Sequence, residues 1–132
     1  MRTSSVLTVG EVYSRNELRD MFDIVDATIN TGVFQPEEQE SIWLFITEDK
    51  PSDRTQSDDL LEGDRLQWEG QMSGRTDDLI IEHKERGLEL LVFYRKRKNE
   101  FSNYGFRYEG VFQYESHTGH NPTKFTLRRI ET

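Results

Sequence analysis

The sequence predicts an α+β fold in which a curved, barrel-like and mostly antiparallel sheet of five to seven strands is flanked by two helices. Three stretches carry this prediction, because apolar and polar residues alternate along them with the period of a strand: residues 64–70, 106–114 and 125–129. Three successive strands after one helix indicate an antiparallel meander. With 132 residues and no internal repeat, we expect one domain over residues 1–132.

The first half of the chain contains the clearest helix signal. Ser14 and Glu17 have the spacing of a capping box, and apolar residues follow at helical intervals from Leu18. The other expected elements are a short strand, a second short strand, and a strand that is apolar on both faces and therefore buried: residues 6–9, 33–34 and 41–47. Residues 48–63 are polar and acidic, which predicts a long exposed loop with one helical turn at residues 58–61.

Residues 64–95 form the central unit of the chain, read as strand, polar loop, helix and strand. Asp77 and Asp78 favour a helix start, because negative charge there complements the helix dipole. Gly87 is a typical helix stop, and the apolar run 88–94 predicts a central strand. The chain then continues as a charged turn, a strand with a bulge at Gly110, another turn and a last strand: residues 96–103, 104–114, 116–122 and 124–130.

Composition limits the chemistry and the location. The absence of Cys excludes disulfides, thiolate zinc sites and thiol nucleophiles. No apolar run approaches the ~20 residues of a membrane span, and the first ten residues lack a signal-peptide core. We therefore expect a soluble, cytoplasmic protein that needs no cofactor. Eight Phe, five Tyr and two Trp supply large buried areas to its core.

The net charge of −8 argues against a general binder of polyanions, because phosphate contacts provide most nonspecific affinity. The charges are unevenly distributed, however, since the acidic residues crowd residues 37–62. The candidate contacts to a DNA backbone are basic residues of the second half: Arg95, Lys96, Arg97, Lys98 and Arg107. Such a dipolar domain can face DNA with one side. The alternative is a solvated hairpin tip with ordinary strand edges.

The central unit also carries a resemblance to a known group of domains. It contains the order W-x-x-Q, then G-R-T, then I-I-x-H-x-x-x-G-L-x-L-x-V-F-Y-R, from Trp68 to Arg95. This order resembles a small C-terminal domain of bacterial helicase-like restriction proteins and domains fused to HNH endonucleases, which we group with PUA-like and SRA-like readers of modified DNA. The resemblance covers roughly residues 40–130. It implies a non-catalytic module that recognises a modified base, with modified cytosine favoured, and that directs an attached nuclease or helicase to double-stranded DNA.

The candidate base-binding residues follow from this implied function. Trp68 precedes the loop 71–76 and is a candidate stacking wall for a base rotated out of the duplex. Its alternative role is that of an ordinary core aromatic. The other candidates offer hydrogen bonds or further aromatic surface: Gln71, Arg75, Thr76, Tyr13 and Trp43. For the loop residues, the alternative is that they satisfy the loop's own backbone.

Two further functions are compatible with the sequence. One is a protein-interaction module, to which the acidic surface is suited. The other is a small metal-dependent nuclease that uses Glu82 and Lys84 with Asp64 or Asp77. The nuclease pattern belongs on a strand, whereas here it falls at the end of an expected helix. The pair of histidines in residues 117–121 is typical of an exposed turn, so the sequence predicts no catalytic or metal-binding residue.

Overall fold

The structure, a computed structural model, describes residues 3–25, 29, 32–36, 40–48, 60–70, 76–119 and 123–131. Within these ranges the chain forms one eight-stranded sheet and two α-helices. The helices are α1 (Arg15–Phe22) and α2 (Asp77–Ile81). The strands are β1 (Val12–Tyr13), β2 (Val33–Phe34), β3 (Ser41–Thr47), β4 (Leu60–Glu62), β5 (Arg65–Glu69), β6 (Glu89–Arg95), β7 (Phe106–Thr118) and β8 (Lys124–Glu131).

The strands follow the order β2, β3, β6, β7, β8, β5, β4, and β1 pairs beside this path with the start of β7. The β3–β6 pair is parallel, and the other pairs are antiparallel. Strands β6, β7 and β8 are consecutive neighbours, which confirms the meander. The α+β class is also confirmed. The sheet is open, with β2 and β4 at its two ends, and it does not close into a barrel.

Two hydrophobic clusters lie on the two faces of β3 and β6. Alternate residues of β3 join them, with Ile42 and Leu44 in one cluster and Trp43 and Phe45 in the other. The first cluster also includes core-facing residues of β5, β8 and α2, and the second cluster includes Leu18 of α1. The predicted burial of residues 41–47 on both faces is confirmed, because a strand between two cores must be apolar on each side.

The N-terminal segment contains one confirmed and one wrong prediction. The capping box exists, since Ser14 Oγ accepts from the Glu17 N–H at 3.1 Å and Glu17 Oε1 accepts from the Ser14 N–H at 3.1 Å. The expected strand at residues 6–9 is wrong, and the preceding residues Thr3–Ser5 form a 3-10 turn. The buried carboxylate of Glu89 holds this turn, because it accepts from the Ser4 N–H at 3.0 Å and from Ser4 Oγ at 2.5 Å.

The helix of the central unit is shorter than predicted. Regular α-structure ends at Ile81, and a series of turns continues to Gly87, which has φ +72°. The Gly87 N–H bonds to the Lys84 carbonyl at 3.1 Å, and the Leu88 N–H bonds to the His83 carbonyl at 2.8 Å. This is the bond pattern of a glycine-terminated helical segment. The predicted stop at Gly87 is therefore confirmed, although the last turns before it are irregular.

Strand β7 is longer and more irregular than predicted. The expected bulge is confirmed, because Val92 pairs with Gly110 while the neighbouring Phe93 pairs with Tyr108, and Gly110 has φ +106°. The strand then runs on to Thr118, through positions that the sequence assigned to a turn. A second bulge at Glu115 was not predicted.

The other local predictions are largely confirmed at β2, β3, β5, β6 and β8. A helical turn was expected at residues 58–61, but residues 60 and 61 belong to strand β4. Residues 58 and 59 lie outside the described ranges.

Candidate functional site

An open groove crosses the outer face of β5, β8 and β7, where the sheet extends beyond the end of β6. Its volume is about 540 Å³, and it is lined by Leu60 and by residues 67–69, 116–118 and 124–126. These three segments are neighbouring positions on adjacent strands. The sheet register therefore assembles the groove from residues that are far apart in the sequence.

Two cross-strand rows of polar side chains form the walls of this groove. The first row is Gln67, Thr126 and Ser116, with Leu60 opposite Gln67 on β4. The second row is Glu69, Lys124 and Thr118. The middle row contains Trp68, Phe125 and the exposed His117. The rings of Trp68 and Phe125 point to the core, because successive side chains of a strand face opposite sides. The groove thus presents amide, hydroxyl and charged groups.

Two arginines continue the same outer face beside the first row. Arg65 and Arg128 lie directly opposite each other on β5 and β8, an arrangement that is unfavourable for like charges. Glu115 offsets the repulsion, because it accepts from Arg128 Nε at 2.7 Å and lies 3.7 Å from an Arg65 Nη atom. The hydrogen bond from Arg128, together with the charges of Arg128 and Arg65, lowers the pKa of the Glu115 carboxyl.

The β7 bulge places Glu115 at this position. Tyr114 pairs with Leu127 and Ser116 pairs with Thr126, so Glu115 is the extra residue of the bulge. Because the bulge shifts the alternation, Tyr114 and His117 lie on one side of β7, where Tyr114 Oη is 2.6 Å from His117 Nδ1.

A buried histidine supports the bulge from the core side. His83 is 3% exposed, its Nδ1–H donates to the Leu88 carbonyl at 2.9 Å, and its Nε2 accepts from the Tyr114 N–H at 3.0 Å. The imidazole is therefore neutral and takes the place of a strand partner, since β6 pairs with β7 only as far as Phe112. Burial lowers the pKa of His83, which favours this neutral form.

Trp68 is a core residue in the structure. It is 6% exposed and stacks on Phe125, with ring centroids 5.5 Å apart and an angle of 23° between the rings. Its backbone lies under the groove while its ring fills the first hydrophobic cluster. The predicted stacking wall is therefore replaced by a packing role in this conformation.

Trp43 and Tyr13 do not join Trp68, because they belong to the opposite face of the sheet. Trp43 has no exposed surface, and its indole N–H donates to Thr3 Oγ1 at 3.1 Å. The predicted contact of Trp43 with a base is corrected to a core role. Tyr13 packs at the edge of the second cluster and accepts from the Thr8 N–H at 3.0 Å.

The predicted loop residues are only partly described. Gln71 and Arg75 lie outside the described residues. Thr76 precedes α2, and its hydroxyl is buried without a hydrogen-bond partner and does not cap the helix. The next residue, Asp77, accepts a hydrogen bond from Thr123 Oγ1. The structure therefore places Thr76 beside a structural contact between α2 and the start of β8.

The basic residues predicted to contact a DNA backbone lie in two different environments. Arg95 is 8% exposed and donates to Thr47 Oγ1 at 2.8 Å and to the Tyr104 carbonyl at 2.7 Å, so its predicted contact with the DNA backbone is corrected to a structural role. Lys96, Arg97 and Lys98 are exposed in the β6–β7 turn. Arg107 is exposed on the first part of β7 and lies 3.7 Å from Glu109.

The basic turn and the groove lie at opposite ends of β7. At ~3.3 Å per residue, the 13 residues of this strand span roughly 40 Å. The sequence analysis therefore placed these residues in one site, whereas the fold separates them into two regions.

The carboxylates considered for a nuclease are engaged separately. Glu82 bonds Arg86 at 3.0 Å, and Asp64 bonds Arg129 at 3.0 Å. Among the described residues, no three His, Cys, Asp or Glu side chains come together as a metal site. His120 and Asn121, from the turn that contains the pair of histidines, lie outside the described ranges.

Comparison with known proteins finds no family model that matches this chain and no matching curated protein. In the described part of the chain, no helix has the length and apolar character needed to cross a membrane. The groove and the distribution of charge are therefore the features that bear on function.

Proposed function

We propose that this chain is a non-catalytic recognition module for double-stranded DNA that carries a modified base, with modified cytosine as the favoured target. The module would direct an attached nuclease or helicase domain to that DNA. The observation that carries the proposal is the exposed groove, where Gln67, Thr126 and Ser116 form a row of hydrogen-bonding groups beside Arg65 and Arg128.

The chemistry of this face suits the reading of base edges. An amide such as that of Gln67 offers both a donor and an acceptor, and Arg65 and Arg128 offer the planar fork that binds guanine or phosphate. Glu115 pairs with both guanidiniums, Glu62 lies opposite Arg65 on β4, and the charge of Asp64 also acts on Arg128. The two arginines therefore contribute hydrogen-bond donors and not an excess of positive charge.

The size of the groove supports a base that is rotated out of the duplex. Its volume of about 540 Å³ falls within the ~300–1,000 Å³ of small-molecule sites. Because the Trp68 ring lies on the core side, we assign discrimination to the polar rows and not to stacking on Trp68. The exposed Lys96, Arg97, Lys98 and Arg107 supply contacts to DNA phosphates, which position the protein without reading sequence.

The decisive test is a binding panel of otherwise identical duplexes that differ in one cytosine modification, each measured at several salt concentrations. The parent protein should prefer one modified duplex, and its affinity should fall as salt rises. Gln67→Ala should reduce the preference by ~1–3 kcal/mol, the value of one good bidentate base contact.

Gln113→Ala is the matched control, because Gln113 lies beside Arg128 on the same sheet but outside the groove. It should leave the preference unchanged. If the parent binds every duplex equally, base recognition is refuted. If it binds none of them even at low salt, the DNA proposal fails as a whole, and the acidic interaction module becomes the better explanation of the net charge of −8.

A further inference from the structure

The β6–β7 turn, residues 96–105, carries an exposed aromatic ring beside exposed cations. Tyr104 is 61% exposed, more than any other Phe, Tyr or Trp in the described ranges. The Lys98 Nζ atom lies 5.5 Å from the centroid of its ring, which is close enough for a cation–π contact. Lys96 and Arg97 are exposed in the same turn. A flat ring and three positive charges therefore reach solvent together.

The backbone of this turn is strained at the residue that carries the ring. Asn103 has φ +56° and Tyr104 has φ +57°, so two consecutive residues other than glycine lie in the left-handed region. Asparagine tolerates this region, whereas a bulky residue such as tyrosine is disfavoured there and glycine would be unstrained. Strain that is kept at an exposed side chain points to a use of that side chain.

Buried contacts hold the strained turn in place. Nη1 of Arg95 donates to the Lys98 carbonyl at 3.3 Å and to the Tyr104 carbonyl at 2.7 Å, so one guanidinium fixes both sides of the turn. Gly105 packs against β1, because a Cβ atom at this position would lie 2.7 Å from Val12 Cγ1. The backbone that presents the ring is therefore fixed on both sides, which lowers the entropy cost of binding through the ring.

The turn keeps an excess of positive charge, although the chain as a whole is acidic. Glu100 is the only acidic residue among residues 96–105, and its Oε1 accepts from the Lys96 N–H at 2.6 Å. Within the described ranges, the side chains of Lys96, Arg97 and Lys98 form no ion pair. A local positive potential of this kind attracts a polyanion.

We propose that the β6–β7 turn binds single-stranded DNA, with the Tyr104 ring stacked on a base and with Lys96, Arg97 and Lys98 on neighbouring phosphates. Every base offers a flat face to an aromatic ring, but in a duplex the neighbouring base pairs cover these faces except at the ends. One projecting ring beside cations therefore fits an unpaired base. The choice of DNA as the polyanion rests on the proposed function, whereas the contact itself lies at the opposite end of β7 from the groove.

The test compares two fluorescently labelled single strands by anisotropy on the full chain at low salt. One is an oligothymidine of about ten nucleotides, and the other is an abasic strand with the same number of phosphates. The parent should bind the oligothymidine about tenfold more tightly, as expected for one stacked base. Tyr104→Ala should remove this preference by weakening only the oligothymidine, and Tyr104→Phe should restore it.

Two further changes separate the ring from the charges. Replacing Lys96 and Lys98 by Gln should weaken both strands alike, because phosphate contacts do not depend on a base. Ile130→Ala is the matched control for loss of an exposed apolar side chain, since Ile130 is 52% exposed on β8, and it should bind both strands like the parent.

Tyr104→Gly separates binding from a structural role of the ring. Glycine suits φ +57°, so this variant should have a Tm at least equal to that of the parent while the preference for the oligothymidine is lost. The site is refuted if Tyr104→Ala or Tyr104→Gly keeps the preference, or if the parent shows none.

Two other arms identify the partner. If Tyr104→Ala weakens binding to vesicles of phosphatidylserine and phosphatidylcholine but not to oligothymidine, the turn contacts membranes and the DNA proposal is wrong. Tyr104→Ala should leave the preference between modified and unmodified duplexes unchanged, because the groove is distant. Failure of the groove function would appear as a parent without duplex preference that still binds oligothymidine through Tyr104, and failure of this site would appear as the reverse.

Discussion

Replacing Trp68 by alanine separates a core role from a recognition role. A buried tryptophan removes ~150–250 Å² from water, which corresponds to ~4–6 kcal/mol at ~25 cal/mol per Å². Alanine keeps a small part of this burial and the neighbours relax, so we expect a loss of ~3–5 kcal/mol in the free energy of unfolding. The low exposure of 6% and the stacked contact with Phe125 are the structural basis of this estimate.

The assay is urea unfolding followed by far-UV circular dichroism. The fluorescence of the remaining tryptophan, the fully buried Trp43, provides a second probe. Met21→Ala is the control, because this side chain is 44% exposed on α1 and should change stability by no more than ~0.5 kcal/mol. A Trp68→Ala protein that loses less than ~1 kcal/mol would refute the packing argument, and the ring would again be a candidate for stacking on a base.

Two further predictions concern buried polar groups. Burial holds the pKa of His83 below its ordinary value of 6.5, so the unfolded chain binds the proton more tightly and stability falls as pH drops below about 6.5. His83→Ala should flatten that part of the stability–pH curve, whereas His117→Ala, at an exposed histidine, should keep its slope. Glu89→Gln should destabilise the fold by ~2–4 kcal/mol in urea unfolding, because the carboxylate accepts bonds from Ser4 and Ser41 that an amide cannot all replace. Unchanged stability in Glu89→Gln would mean that this network is not structural.

The elements that the sequence predicted well are those fixed by local chemistry. The capping box at Ser14 and the αL glycine at Gly87 depend on residues within a few positions. Alternation along β5 gave both its extent and its buried face. The parallel pairing of β3 with β6 was not predicted, because it joins Ser41 to Glu89 and similar residues across a long intervening segment. Apolar runs such as β3 and β6 are typical of parallel strands, but a run does not show which distant strand is its partner.

The groove could not be predicted from the sequence either, although some of its residues are neighbours of the predicted site residue Trp68. Its walls depend on the register between β5, β8 and β7, and that register changes at the Glu115 bulge. No glycine marks this bulge, in contrast to the one at Gly110. The sequence signal for the groove is the polar half of each alternating strand, such as Gln67 and Thr126. Trp68 lies on a strand that lines the groove, but its ring is on the opposite face of the sheet.

The run from Arg95 to Lys98 shows why consecutive basic residues do not define one surface. Arg95 is the last residue of β6, where its side chain is held over the Phe106 ring and bonded to Thr47. The next three residues belong to a turn and project into solvent. Arginine tolerates burial because its planar guanidinium stacks on aromatic rings and hydrogen-bonds neutral oxygens. A charge run that crosses the end of a strand therefore divides into a structural part and a solvent-exposed part. In this chain the buried part also brings Arg95 to Arg15, a proximity of like charges that the sequence separation of the two residues conceals.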